Sequence, residues 1–208
     1  NHAWDKKDGH ASIEEGRELR PANYPAGVNG TGTTVAHTRT NEPVGVLNLQ
    51  GRAFMRPIDC PFRVAKRQID ELRSETIAII VDFHAEATAE KQAMGWYLDG
   101  QVSAVLGTHT HVATADERVL PRGTAYITDV GMTGPYESVI GMEVDGSIRR
   151  LLTGLNTQLV PAVNDVRFAG VIVDIESSTG HAQRIERLML PFDQRQGSGD
   201  VKDEEGSE

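Results

Sequence analysis

Short apolar runs alternate along the chain with longer segments of mixed character. Residues 44–49 (VGVLNL), 77–83 (IAIIVDF) and 102–106 (VSAVL) have the length and β-branched content of strands. Between the first two, Pro61 opens a segment in which Phe62, Val64, Ala65, Ile69 and Leu72 fall on roughly one face, with Arg, Lys, Asp and Glu on the other. That period, with proline in the first turn, predicts a helix. Residues 88–98 predict a second helix. Strand, helix and strand within this length form a βαβ unit, so residues 77–83 and 102–106 are expected to be parallel neighbours. The continuous apolar character of 77–83 suits a strand covered on both faces.

The remaining segments are less regular. Residues 11–19 carry a weak helix signal, with acidic residues early and Arg17 late. Residues 20–33, rich in Pro, Asn and Gly, read as loop. Residues 34–38 form a candidate strand that pairs with 44–49 as a hairpin across 40–42. Residues 124–130 predict a strand running into the glycine-flanked loop 131–135, where backbone can approach a ligand closely. Residues 138–152 have no clear period, and Asp145-Gly146 marks a turn within them. Residues 169–176 and 182–190 read as an antiparallel hairpin across 177–180. From Gln194 onward the chain is Gln, Arg, Gly, Ser, Asp, Glu and Lys with one Val, which predicts a disordered acidic tail over 194–208. The expectation is an α/β fold with one domain over residues 1–193.

Composition narrows the function. The 208 residues carry a formal charge of −9, which argues against a nucleic-acid backbone or an anionic membrane as main partner. A small phosphate substrate is still allowed, because a bound metal sets the local field. Cys60 is the only cysteine, so no internal disulfide forms, and a small buried thiol in the cytoplasm is expected. No apolar run approaches the length of a membrane span, and no stretch reads as a signal peptide. Homo-oligomerisation stays open. The chain begins Asn-His-Ala-Trp-Asp. That opening reads as the loop after a strand, and an N-terminal segment is expected before it.

The chemistry collects where strands end. His84 follows 77–83, and His109 and His111 stand just past 102–106 in Leu-Gly-Thr-His-Thr-His. If the two strands are parallel, His84 and His109 lie at one carboxyl-terminal edge, where ligands bind in α/β folds. Imidazole is a borderline ligand suited to Fe, Mn, Zn, Ni or Co. Histidines at i and i+2 of an extended segment point to opposite sides, so they grip two metals, or one metal after a bend. A single histidine at a strand end is more often structural, and His-x-His by itself is weak. Their combination at adjacent parallel strands favours a metal site. His10, His37 and His181 lack this context and read as surface residues. Glu86, close after His84, has two readings, a residue supporting the metal ligands and a solvated residue at a helix start, and the second is favoured.

Four motifs, taken together, carry a resemblance. Residues 1–5 (NHAWD), 81–88 (VDFHAEAT), 107–112 (GTHTHV) and 129–135 (DVGMTGP) resemble, in order, the YmdB-type family of calcineurin-like metallophosphoesterases. The resemblance implies two β-sheets flanked by helices, with two divalent metals, usually iron or manganese, at the strand ends. It implies that Asn1, His84 and His109 bind the second metal and His111 the first. It makes His2 the proton donor to the leaving group. Asp5 reads equally as a partner orienting His2 and as a solvated loop residue. The family's other ligands, an Asp, a bridging Glu and an Asn, come from a βαβ segment that this sequence does not contain, so the isolated chain is expected to have little or no phosphodiesterase activity and to aggregate. The implied reaction is hydrolysis of cyclic nucleotides, 2′,3′-cyclic ones especially, or related phosphodiesters, by hydroxide held between the metals.

Two other functions are compatible with parts of the pattern. A metal-dependent amidohydrolase also uses His-x-His, but near the amino terminus, with further ligands following it. A non-catalytic metal-binding or signalling module would keep the scaffold and have no use for a proton donor at His2.

Overall fold

The computed structural model describes residues 18–192 together with Ser12, Ile13 and Glu15. Contacts divide the chain into two units, Asn1–Met132 with Ala169–Leu188, and Thr133–Phe168 with Met189–Glu208. Of the helix expected over 11–19, Ser12 and Ile13 are helical, Glu15 lies in a turn, and Glu18 and Leu19 are not helical; the other four residues lie outside the described ones. The tail over 194–208 lies wholly outside them.

In the first unit the elements run β1 (Thr33–His37), β2 (Pro43–Gln50), α1 (Pro61–Leu72), β3 (Ile79–His84), α2 (Thr88–Leu98), β4 (Ala104–Thr108), β5 (Arg118–Val119) and β6 (Ala125–Ile127). The strands form one six-stranded sheet in the order β1-β2-β3-β4-β6-β5. β1 and β2 pair antiparallel, as the hairpin expected, with Thr34 opposite Val46. β2, β3, β4 and β6 are mutually parallel. Parallel neighbours need a crossover, which α1 and α2 supply for the first two pairs. β5 closes the sheet antiparallel to β6.

Two strands differ from the pattern for identifiable reasons. The run from Ile77 becomes strand only at Ile79, because the Thr76 hydroxyl accepts the Ala78 N–H at 3.1 Å and leaves Ile77 exposed. The segment 124–130 gives a strand of three residues. Beyond it, side chains take the backbone donors: the Thr128 N–H goes to Asp116 Oδ1 at 3.1 Å and the Asp129 N–H to Thr114 Oγ1 at 2.9 Å.

The two-residue period of the strands sorts the core. Leu47, Leu49, Ile79, Val81, Phe83 and Val105 meet Val64, Ala65, Ile69 and Leu72 of α1 and Met94 and Leu98 of α2 in one buried cluster. On the other face, Ile80, Ala104, Leu106 and Ala125 pack with Val173, Ala182 and Ile185. Those last three lie in β8 (Val166–Ile175) and β9 (Ala182–Pro191). β8 and β9 are neighbours joined by a tight turn, in which Glu176 donates to the His181 carbonyl at 2.9 Å. This is the hairpin expected. β3 is thus covered on both faces, fully on the helix side and partly on the other. Cys60 precedes α1 and is half-buried rather than buried.

In the second unit, β7 (Gly134–Pro135) pairs antiparallel with Val166 and Arg167 of β8. Residues 138–152 resolve into a helix, α3 (Val144–Thr153), ended by Gly154 at φ 66°. Asp145-Gly146 is therefore not a turn but the first turn of that helix, where an acidic residue complements the positive end of the helix dipole. Among the described residues no helix is long and apolar enough to cross a membrane.

Tyr126 gives a direct check of the core. Its ring lies so close to Gly95 of α2 that a Cβ there would meet a ring carbon at 2.5 Å. Burial pushes its phenol up to about 12. An unfolded tyrosine ionises near about 10, so the unfolded state loses its proton first and stability falls as pH rises from about 10 to about 12. Spectrophotometric titration should find a tyrosine ionisation near about 12 that is missing in Tyr126→Phe. Tyr126→Phe should flatten the loss of stability over that range.

Candidate metal centre

The polar site grows out of the same two-residue period. Ile80, Asp82 and His84 share the face of β3 turned away from α1 and α2. The register sets Asn48 and Gln50 of β2 beside Asp82 and His84, and Leu106 and Thr108 of β4 on the other side. This face therefore turns from apolar to polar toward the carboxyl-terminal edge. His84 is the last residue of β3, and His109 follows the last residue of β4. Because the strands are parallel, the two arrive at one edge. Nε2 of His84 and Nδ1 of His109 are 3.0 Å apart, with the rings edge to face at a centroid distance of 4.7 Å.

His84 is held from behind. Its Nδ1 lies 3.1 Å from Thr108 Oγ1, and that hydroxyl donates to Asp82 Oδ1 at 2.8 Å. Asp82 Oδ2 accepts from Asn48 Nδ2 at 2.7 Å. The single hydroxyl proton of Thr108 is committed to Asp82, so Nδ1 of His84 is the donor toward Thr108. In the neutral ring this leaves the lone pair on Nε2, aimed at His109. Burial pushes the Asp82 carboxyl above its ordinary range, against the hydrogen bonds from Thr108 and Asn48.

His109 is held on its other side. Glu86 Oε2 lies 3.0 Å from His109 Nε2. Glu86 thus belongs to the site and is not simply a solvated residue at a helix start. The backbone here is unusual: φ is 112° at His109 and 66° at His111. Few non-glycine residues adopt such angles, and they persist where the surroundings enforce them. The loop after β2 reaches the same edge. The Gly51 N–H donates to the His84 carbonyl at 2.9 Å, and the Glu90 carboxylate accepts the N–H groups of Arg52 and Ala53 at 3.1 and 3.2 Å.

The structure thus brings His84 and His109 together. His111 is exposed two residues further on. Among the described residues no group of three or more His, Cys, Asp or Glu side chains converges to hold a metal. Asn1, His2 and Asp5 lie outside the described residues, as does His10. His37 and His181 are exposed, as expected. The donor chemistry of the pair fits a first-row divalent ion: two imidazole nitrogens face each other, one with its lone pair fixed by hydrogen bonding.

With this geometry established, the relatives are informative. The YmdB-like protein family matches residues 1–188, and the chain belongs to that family. A 2′,3′-cyclic-nucleotide 2′-phosphodiesterase of Bacillus subtilis (strain 168) is 49% identical over 194 residues, which are 93% of this chain and 73% of that protein. Among solved structures, a hypothetical protein from Thermus thermophilus superposes with a TM-score of 0.86 at 42% identity, covering 92% of this chain and 74% of that one. A novel phosphatase of Mycoplasma pneumoniae does so with a TM-score of 0.82 at 34% identity, covering 96% and 73%.

Proposed function

We propose that this protein is a divalent-metal-dependent phosphodiesterase of the calcineurin-like sandwich class, acting in the cytoplasm on 2′,3′-cyclic nucleotides or related small phosphodiesters. The observation that carries the reading is the pair of facing nitrogens on His84 and His109 at the carboxyl-terminal edge of a parallel sheet. Membership of the YmdB-like family and the name of the Bacillus subtilis relative support it.

In this reading Asn1, His84 and His109 hold one ion, and His111 belongs to the second. Iron or manganese suits such a donor set. When bound, such ions supply Lewis-acid charge for the phosphate and acidify water. The chain's own residues do the rest. Thr108 and Asp82 fix the tautomer of His84, and Glu86 orients His109. His2 donates a proton to the ribose oxygen as it leaves.

The test is hydrolysis of 2′,3′-cyclic AMP by the purified protein with Mn²⁺. With the segment expected before Asn1 in place, turnover is expected, should disappear on chelation, and should return with Mn²⁺ or Fe²⁺. His84→Ala and His109→Ala should lose both metal and turnover. His2→Ala should keep its metal and slow hydrolysis more for a ribose leaving group than for nitrophenolate. A protein that binds Mn²⁺ tightly yet cleaves neither cyclic nucleotides nor nitrophenyl phosphodiesters would be a metal-binding module instead.

A further inference from the structure

Behind the histidine turn lies a buried ion pair that the proposed chemistry does not use. Lys91 of α2 and Asp129, just beyond β6, have side chains each 1% exposed, and Lys91 Nζ lies 2.7 Å from Asp129 Oδ2. The same Oδ2 accepts both the backbone N–H of Thr110, at 3.0 Å, and its hydroxyl, at 2.8 Å. Oδ1 accepts the Gly131 N–H at 2.9 Å. Thr110 is the residue between His109 and His111, both of which have positive φ.

We infer that Lys91 and Asp129 are positioning residues that clamp the His-x-His turn and thereby set His109 against His84. The inference rests on the reading of that pair as metal ligands. Its physical basis is local. Non-glycine residues stay at positive φ only where other contacts over-determine the backbone. One carboxylate holding both the N–H and the hydroxyl of Thr110 fixes the middle of the turn from two directions. Hydrogen bonds to an ionised acceptor are the stronger kind, and Lys91 supplies the countercharge that such an acceptor needs away from water. A pair serving only to join α2 to the end of β6 would have no need to bond Thr110.

Thr110→Val tests the clamp gently, because it deletes the hydroxyl and leaves the ion pair. Thr110→Ser restores the hydroxyl. The readouts are Mn²⁺ affinity by titration calorimetry and the imidazole ¹⁵N resonances of the metal-free protein. Thr110→Val is expected to weaken Mn²⁺ binding by about 10-fold or more. It should shift the His109 signals while leaving those of His37 and His181 in place, and Thr110→Ser should reverse both effects. The double variant Lys91→Met/Asp129→Leu, which replaces the pair with apolar side chains, should weaken Mn²⁺ binding at least as much. If Thr110→Val and the double variant keep wild-type Mn²⁺ affinity and wild-type His109 signals, the clamp is overturned, whatever happens to their melting temperatures. If the wild-type protein binds no Mn²⁺, the phosphodiesterase reading falls, and the imidazole signals still decide the clamp: shifted in Thr110→Val they support it, unshifted they overturn it.

Discussion

Asp129→Ala is expected to lower the free energy of unfolding by about 3–5 kcal/mol, and Lys91→Ala by a similar amount. Neither side chain is exposed beyond 1%, so removing one partner leaves the other as an uncompensated charge away from water. Asp129→Ala also strips acceptors from the Thr110 hydroxyl and from the N–H groups of Thr110 and Gly131, which adds to the cost. The double variant Lys91→Met/Asp129→Leu separates the two contributions. It removes both charges together, so most of the desolvation penalty disappears and stability should recover well above that of either single variant. What remains lost in the double variant is the support Asp129 gives to Thr110. Urea unfolding of the four proteins measures this. Single variants within about 1 kcal/mol of wild type would mean that the pair is hydrated in solution and holds nothing in place.

The elements that position the site were legible because each carries a strong local signal. Proline and a clean apolar face marked α1, and a short apolar run ending in histidine marked β3 and β4. Parallel pairing then followed from chain connectivity alone, and with it the meeting of His84 and His109. The parts not legible depend on side chains that meet only in three dimensions. Glu86 stands two residues after His84, where a solvated carboxylate at a helix start is the ordinary outcome, and nothing local says that it will reach His109. Asp145-Gly146 resembles a turn because both residues favour turns, and it became helical because an Asp is also favoured in a first helical turn. Lys91 did leave a trace. It occupies the same face of α2 as Met94 and Leu98, at spacings of three and seven, so a lysine sits on the apolar stripe of the helix. A charge at such a position calls for a buried partner, and Asp129 in the Asp-Val-Gly segment is that partner.

The glycine of the Gly-Thr-His-Thr-His motif has a structural role that a single methyl group exposes. A Cβ built on Gly107 would lie 1.7 Å from the carbonyl oxygen of Thr128 and 2.6 Å from its carbonyl carbon. Both are backbone atoms just beyond β6, and Val130 returns its N–H to the Gly107 carbonyl at 2.9 Å. The chain after β6 therefore passes directly over Gly107, and that close passage carries Asp129 to Thr110. No side chain can rotate away to make room, so Gly107→Ala must part the two segments. The expected cost is about 3 kcal/mol or more, at the upper end of what overpacking does. Parting them moves Asp129 away from the histidine turn, so Mn²⁺ affinity should fall along with the unfolding midpoint. Gly146→Ala is the control. It sits in the first turn of α3 with nothing within 4 Å of the added carbon, and it should be neutral or stabilising by up to about 1 kcal/mol. Denaturant melts of the two variants with and without Mn²⁺ make the comparison. Gly107→Ala with the midpoint and Mn²⁺ affinity of wild type would show that β4 and the segment after β6 do not pass this closely in solution.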